Sequence, residues 1–120
     1  MKIALTTKGK TLSDELDPRF GRAAFFMIYD DVEKSIIKVT DNANILKSGG
    51  AGVSSAQEII AEGVDVLITG ALGPNAHNII GTSGIKVYAN DNCRDASDAI
   101  EKLSKGELQE ILGPHNKNFK

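Results

Sequence analysis

The run Asp65-Val66-Leu67-Ile68-Thr69 constrains this chain most, because its three central residues are apolar on both faces. A strand with water on one side alternates apolar and polar residues, whereas one that is apolar throughout is covered on both faces, as the central strands of parallel sheets are. Parallel neighbours need long crossover connections, usually helices, and the flanking sequence supplies them. Upstream, Val53, Ala56, Gln57 and Ile60 recur at helical spacing on one face before Gly63 stops the helix. Downstream, Pro74 takes the first position of a second helix, with Ile79 and Ile80 below it and Gly84 as terminator. Residues 86–89 make a further strand. Asp95, with Asp98 three residues on, forms the N-cap and acidic first turn of a third helix, whose Ala99, Ile100 and Leu103 face inward before Gly106 ends it.

The amino-terminal half reads differently. Residues 2–6 are a short apolar run ending in Thr6-Thr7-Lys8-Gly9, a buried first strand and its exit loop, followed by a long connection to residue 22. Residues 24–30 and 34–40 are rich in β-branched and aromatic residues, and Asp30-Asp31-Val32-Glu33 between them is a turn, so they pair as an antiparallel hairpin. Ile37 and Val39 alternate with Lys38 and Thr40, which predicts a half-exposed strand at the sheet edge. Strand, hairpin, helix, strand, helix, strand, helix gives an α/β fold of three layers, a mixed five-stranded sheet with helices on both faces. The right-handed crossover rule leaves few alternatives. The tail carries one apolar patch, Leu108, Ile111 and Leu112, expected to pack weakly. The domain is expected to span residues 1–112, with 113–120 a flexible tail.

A chain of 120 residues suffices for one core without staples. With Cys93 as its only cysteine, the chain can form no internal disulfide and suits a reducing cytoplasm. No stretch approaches the roughly 20 apolar residues of a membrane helix, and the start is too short for a signal peptide, so a cytoplasmic location is expected. The formal charge is −2, and the aromatic residues are four Phe, two Tyr and no Trp. That leaves neither a basic surface nor stacking platforms for nucleic acid.

In such sheets ligands gather beyond the carboxyl ends of the parallel strands, where the following helices aim unpaired N–H groups. Three segments converge there: Arg19-Phe20-Gly21-Arg22, Gly49-Gly50-Ala51-Gly52 and Gly73-Pro74-Asn75. Glycines permit left-handed turns and close backbone approach, so these loops can form nests of N–H donors for an anion. Equally, the glycine segments are ordinary helix entries. Arg19 and Arg22 are either donors to that anion or solvated loop charges paired with Asp14, Glu15 or Asp17. Phe20 reads first as a loop anchor.

His77 on the first turn of the second helix, and Cys93 beside Arg94 after the fifth strand, are the candidate metal ligands, each with an incidental surface residue as its alternative. One Cys and two His cannot assemble a four-ligand metal site. Catalysis finds no support: the first strand carries no acid for a two-metal nuclease, Asp65 begins its strand and so falls on the opposite edge, and neither a phosphate-binding loop nor a nucleophile elbow is present.

Asp17-Pro18-Arg19-Phe20-Gly21-Arg22-Ala23, together with the turns Gly49–Gly52 and Gly70-Ala71-Leu72-Gly73-Pro74-Asn75-Ala76, resembles the dinitrogenase iron-molybdenum cofactor biosynthesis family, the NifX-like proteins and the carboxy-terminal part of NifB. The resemblance runs from Met1 to about Gly106. It implies a ribonuclease H-like sheet of order 3-2-1-4-5 with strand 2 antiparallel. It also implies a non-catalytic carrier of an anionic iron-containing cluster, of iron–sulfur or iron-molybdenum type, bound as cargo. Its partners would be a cluster donor or acceptor protein, and the chain a monomer or weak homodimer. Nitrogen-fixation members characteristically show His-Phe-Gly where this chain has Arg19-Phe20-Gly21. The alternative from the residues alone is a metal-free regulatory or interaction domain for a small anionic metabolite or a protein.

Overall fold

The computed structural model describes residues 1–42 and 51–112. In chain order the elements are β1 (Lys2–Thr7), β2 (Phe25–Asp30), β3 (Ser35–Asp41), α1 (Ala51–Ala61), β4 (Val66–Thr69), α2 (Pro74–Thr82), β5 (Lys86–Ala89) and α3 (Ala96–Ser104). The sheet has the expected order, β3-β2-β1-β4-β5. β1 pairs parallel with β4 and antiparallel with β2, and β4 pairs parallel with β5.

Residue alternation along the strands divides the interior into two cores. Ala4, Phe26, Ile28, Leu67 and Val87 pack with Ala56 and Ile59 of α1 and Ala76 and Ile80 of α2. Ile3, Leu5, Met27, Tyr29, Val66 and Ile68 pack on the other side with Ala96 and Ala99 of α3. Covering on both faces explains why β4 has no polar alternation. In α1 the buried line runs through Ser55, Ala56 and Ile59 with Ile60 against it, and Gln57 is exposed rather than inward. Gly63, Gly84 and Gly106 follow the three helices at φ of 69°, 86° and 70°, the left-handed conformation that only glycine adopts at no steric penalty. Asp95 caps α3, its carboxylate accepting from the Asp98 N–H at 2.8 Å.

The hairpin departs from simple alternation. Ile28 faces Lys38 and Tyr29 faces Ile36, so Ile37 is an extra residue in a β-bulge. The bulge puts Ile36 and Val39 together against the α3-side core and leaves Ile37 50% exposed, where alternation had paired Ile37 with Val39. The turn is held by Asp30, whose carboxylate accepts from the Val32 N–H at 2.8 Å.

The tail patch does more than pack weakly. The Ala89 N–H donates to the Gln109 carbonyl at 2.9 Å and the Ile111 N–H to the Val87 carbonyl at 2.7 Å, so residues 109–111 pair along the free edge of β5. Ile111 enters the α1/α2-side core, and Leu112 is exposed. An otherwise open sheet edge is thereby covered. Among the described residues no helix is long and apolar enough to cross a membrane. Residues 113–120 of the expected tail lie outside the described residues.

Candidate functional site

β1, β4 and β5 run parallel, so their carboxyl ends share one edge, and each ends in a buried polar residue: Thr6 and Thr7, Thr69, and Asn90 just beyond β5. These polar side chains hold the connection that follows β1. Thr6 Oγ1 donates to the Asp17 carbonyl at 2.8 Å and lies 2.9 Å from Thr69 Oγ1, while Asn90 Nδ2 donates to the same Asp17 carbonyl at 3.0 Å. The Asp17 N–H returns a bond to the Thr6 carbonyl at 2.8 Å. Asn42, at the end of β3, donates from Nδ2 to the carbonyls of Gly21 and Ala23 at 3.0 and 2.8 Å. Every buried side-chain nitrogen and oxygen among the described residues has a partner. Residues 17–24 are therefore fixed at both ends by buried hydrogen bonds.

The same loop lies directly on the exit of β4. The Ala71 N–H donates to the Pro18 carbonyl at 2.5 Å and the Phe20 N–H to the Ala71 carbonyl at 3.1 Å. A Cβ at Gly70 would stand 2.1 Å from the Pro18 oxygen, so a side chain here would force the two loops apart. Close approach, not a left-handed turn, is what this glycine provides.

Beneath this crossing is a cleft of about 220 Å³ lined by Phe20, Gly21, Gly52, Val53 and residues 71 and 73–76. Two helices start in its wall. Gly73 is the N-cap of α2, at φ −70° and ψ 170°, with no side chain to accept from the first-turn N–H groups, and Pro74 follows in the first turn. Gly52 lies in the first turn of α1, where a Cβ would sit 3.6 Å from the Ala76 Cβ. Two helix amino termini thus meet across a narrow space, each bringing the positive end of a macrodipole, and at Gly73 no side chain caps the first-turn N–H groups of α2. Of the described cleft glycines, none has a positive φ, so these donors come from helix entries and not from left-handed nests. The expectations for Gly49 and Gly50, and for the Ala51 side chain, lie outside what is described.

Arg19 is not a free loop charge. Its Nε and Nη2 donate to Asp17 Oδ1 and Oδ2, both at 3.1 Å, and its backbone N–H also reaches Oδ1, at 3.0 Å. Asp17 holds the guanidinium still more firmly protonated than usual. Arg22 is half-buried and is not among the cleft-lining residues. Phe20, 1% exposed, stacks at a tilt on Phe26 with centroids 5.7 Å apart, so it anchors the loop and at the same time floors the cleft.

Residues 1–106 match the family described as dinitrogenase iron-molybdenum cofactor. The chain belongs to this family. It is 33% identical over 114 residues, 92% of each chain, to an uncharacterized protein of Methanocaldococcus jannaschii. Among solved structures it is similar to the apo form of the orange protein from Desulfovibrio gigas, with a TM-score of 0.90, 34% identity and 96% of each chain covered. It is also similar to a candidate NifB protein from Thermotoga, with a TM-score of 0.82, 31% identity and 98% of each chain covered. The five-stranded mixed sheet is the fold these relatives share.

Neither of the two candidate metal ligands lines the cleft. His77 is half-buried in a second crevice with Gly84, Ile85, Glu110 and Leu112. Cys93 packs against the α3-side core, on the opposite face of the sheet. Burial pushes its thiol up, with Lys102 partly opposing, and Arg94 directs its guanidinium to Asp95. A thiol held protonated is a poor metal donor. No three His, Cys, Asp or Glu side chains cluster as a metal site among the described residues. The sequence reading missed the roles of Thr6, Asn42, Thr69 and Asn90, and had Asp17 only as one of three candidate partners of the arginines. The available signal was the placement of a hydrogen-bonding residue at the carboxyl end of each of three apolar strands.

Proposed function

We propose that this family member is a non-catalytic binding or carrier module that docks an anionic iron-containing metallocluster, or its precursor, in the cleft between the starts of α1 and α2. The observation that carries the reading is the meeting of two helix entries, at Gly52 and at the uncapped Gly73, in one cleft at the carboxyl edge of the parallel strands. Partial positive charge from both helices favours an anion there. The named lining residues include no Cys, His, Asp or Glu, so a cluster would arrive with its own ligands and be held by backbone N–H groups, Asn75 and apolar contact with Val53, Ala71 and Pro74. The match to an iron-molybdenum cofactor family supports such cargo, and a relative described in an apo form supports a ligand-free state that folds. Donation to and acceptance from partner proteins, in the cytoplasm, belongs to the same reading.

The test is anaerobic reconstitution with iron and sulfide, followed by gel filtration, visible absorption and metal analysis. Retained iron in stoichiometric amount, lost in Gly52→Val with an unchanged circular dichroism spectrum, is the expected result. No retained metal in folded protein refutes the carrier reading. The donor set of the cleft, hydrogen-bonding and without metal ligands, favours a second reading in that event: a metal-free module for a small anionic metabolite.

A further inference from the structure

Asp17 is the least exposed carboxylate of the described chain, at 1%, and it stands at the root of the loop that supplies Phe20 and Gly21 to the cleft. Four donors converge on it: the backbone N–H groups of Arg19 and Ala24 at 3.0 and 3.3 Å, and Nε and Nη2 of Arg19 at 3.1 Å each. The two backbone donors close residues 17–24 into a ring around the carboxylate. The two side-chain donors form a planar fork that matches both carboxylate oxygens and supplies the counter-charge. Arg19 is 57% exposed, yet it is absent from the cleft lining, and the donor edge it uses is turned to Asp17.

We propose that Arg19 is a positioning residue: by neutralising the buried Asp17 carboxylate it locks residues 17–24 in the shape that presents Phe20 and Gly21 to the ligand, and it does not itself hold the ligand. The reading of the ligand as an anion in this cleft is that of the preceding section, and the positioning role builds on it. Removing Arg19 leaves an unpaired buried negative charge beneath an anion site. Two effects then follow from one substitution: water enters to solvate Asp17, loosening the ring, and the bare carboxylate repels the anion. The charge effects vanish if the carboxylate is neutralised too, and an asparagine at 17 still accepts from the Arg19 N–H through its one amide oxygen, while the Ala24 N–H loses its acceptor.

Two measurements decide the matter. In the ligand-free protein, amide hydrogen exchange at residues 19 and 24 should accelerate at least tenfold in Arg19→Ala, with the amides of β4 and β5 unchanged, and at residue 19 return to within threefold of the starting rate in Asp17→Asn/Arg19→Ala. Arg19→Lys, which keeps the charge without the fork, should fall between. Unchanged exchange in Arg19→Ala, or no recovery in the double variant, overturns the positioning role whatever the ligand is. In the second measurement, iron retained after reconstitution with iron and sulfide should fall at least tenfold in Arg19→Ala and recover to within threefold in the double variant. A double variant as poor as the single one means that Arg19 touches the ligand, and the proposal fails. If the unsubstituted protein retains no iron, the carrier reading falls instead, and the exchange experiment on the ligand-free protein still decides the role of Arg19.

Discussion

Gly73→Asp should make the protein more stable and less able to bind, and the opposed signs are what make it informative. Gly73 sits at φ −70° and ψ 170°, open to any residue, and a Cβ there meets nothing within 4 Å. An aspartate at the N-cap would accept from the first-turn N–H groups of α2, a gain over glycine of a few tenths of a kcal/mol. Its charge at the positive end of the helix contributes about 0.3–1 kcal/mol. The lost freedom of the unfolded glycine adds about 0.4–1 kcal/mol. Together these give about 1–2 kcal/mol, which for a chain of 120 residues raises the melting temperature by about 4–8 °C. The same carboxylate would stand in the cleft among the N–H groups proposed to hold an anion. At roughly 5 Å and an effective dielectric constant of about 20, two unit charges repel by about 3 kcal/mol, or more than a hundredfold in affinity. Thermal unfolding followed by circular dichroism reads the first effect, and iron retained after reconstitution reads the second. Gly73→Asn keeps the cap without the charge and should retain more ligand than the aspartate. A destabilised Gly73→Asp variant would refute the helix-entry geometry, and a stabilised one that keeps its iron would place the ligand elsewhere.

Three further outcomes follow from the geometry. Gly70→Ala, with its Cβ 2.1 Å from the Pro18 oxygen, should destabilise by about 3 kcal/mol, the upper end of an overpacking penalty, and urea unfolding with an unchanged midpoint would show that the loops can separate freely. Lys34, at φ 56° in the β2–β3 turn, carries the strain of a left-handed non-glycine residue, so Lys34→Gly should stabilise by about 0.5–1 kcal/mol after the entropy of the new glycine is subtracted; a lower urea midpoint refutes this. Asp14, Asp30 and Asp98 are held below the usual carboxylate range by N–H groups, of Thr11, Val32 and Arg94 respectively. A depressed folded value means stability that is present above the unfolded value of about 3.9 and is lost as pH falls through the folded one, so the urea midpoint should drop from about pH 4 downward, less steeply in Asp98→Asn; parallel pH profiles would contradict the assignment.

The elements were legible where one local cause decides them. β4 has three apolar residues in succession before Thr69, Gly63, Gly84 and Gly106 stop helices through a backbone conformation that only glycine enters freely, and Asp95 caps α3 through its own side chain. Ile37 was misplaced because a bulge is set by pairing with β2, which alternation along β3 cannot register. Gln57 was misplaced because α1 buries one line of residues between β-strands and α2, and that line is chosen by packing. The pairing of residues 109–111 with β5 depends on which strand ends the sheet. For the site, the sequence located the edge and the converging loops, since topology alone dictates that. It could not say that Arg19 turns back to Asp17, because the competing partners Asp14 and Glu15 are also within reach of a long side chain on a loop. His77 and Cys93 looked equally close to the edge, but one lines a separate crevice and the other packs on the opposite core.

The arrangement separates what holds the site from what lines it. Thr6, Asn90 and Asn42 grip residues 17–24 through the carbonyls of Asp17, Gly21 and Ala23, with Thr69 bonded to Thr6, and none of these bonds uses Phe20. The cleft wall on the other side is two helix entries whose side chains are hydrogen or small apolar groups at Gly52, Gly73 and Ala76. A rigid polar scaffold beneath and a nearly bare backbone above should let cleft side chains change with little loss of fold, while substitutions at Asp17 or Gly70 disturb fold and site together. Buried hydrogen-bond networks are intolerant of partial loss, whereas helix entries accept most residues in extended conformation. The site's selectivity therefore rests on residues such as 52, 73 and 75, and its existence on residues such as 17 and 70.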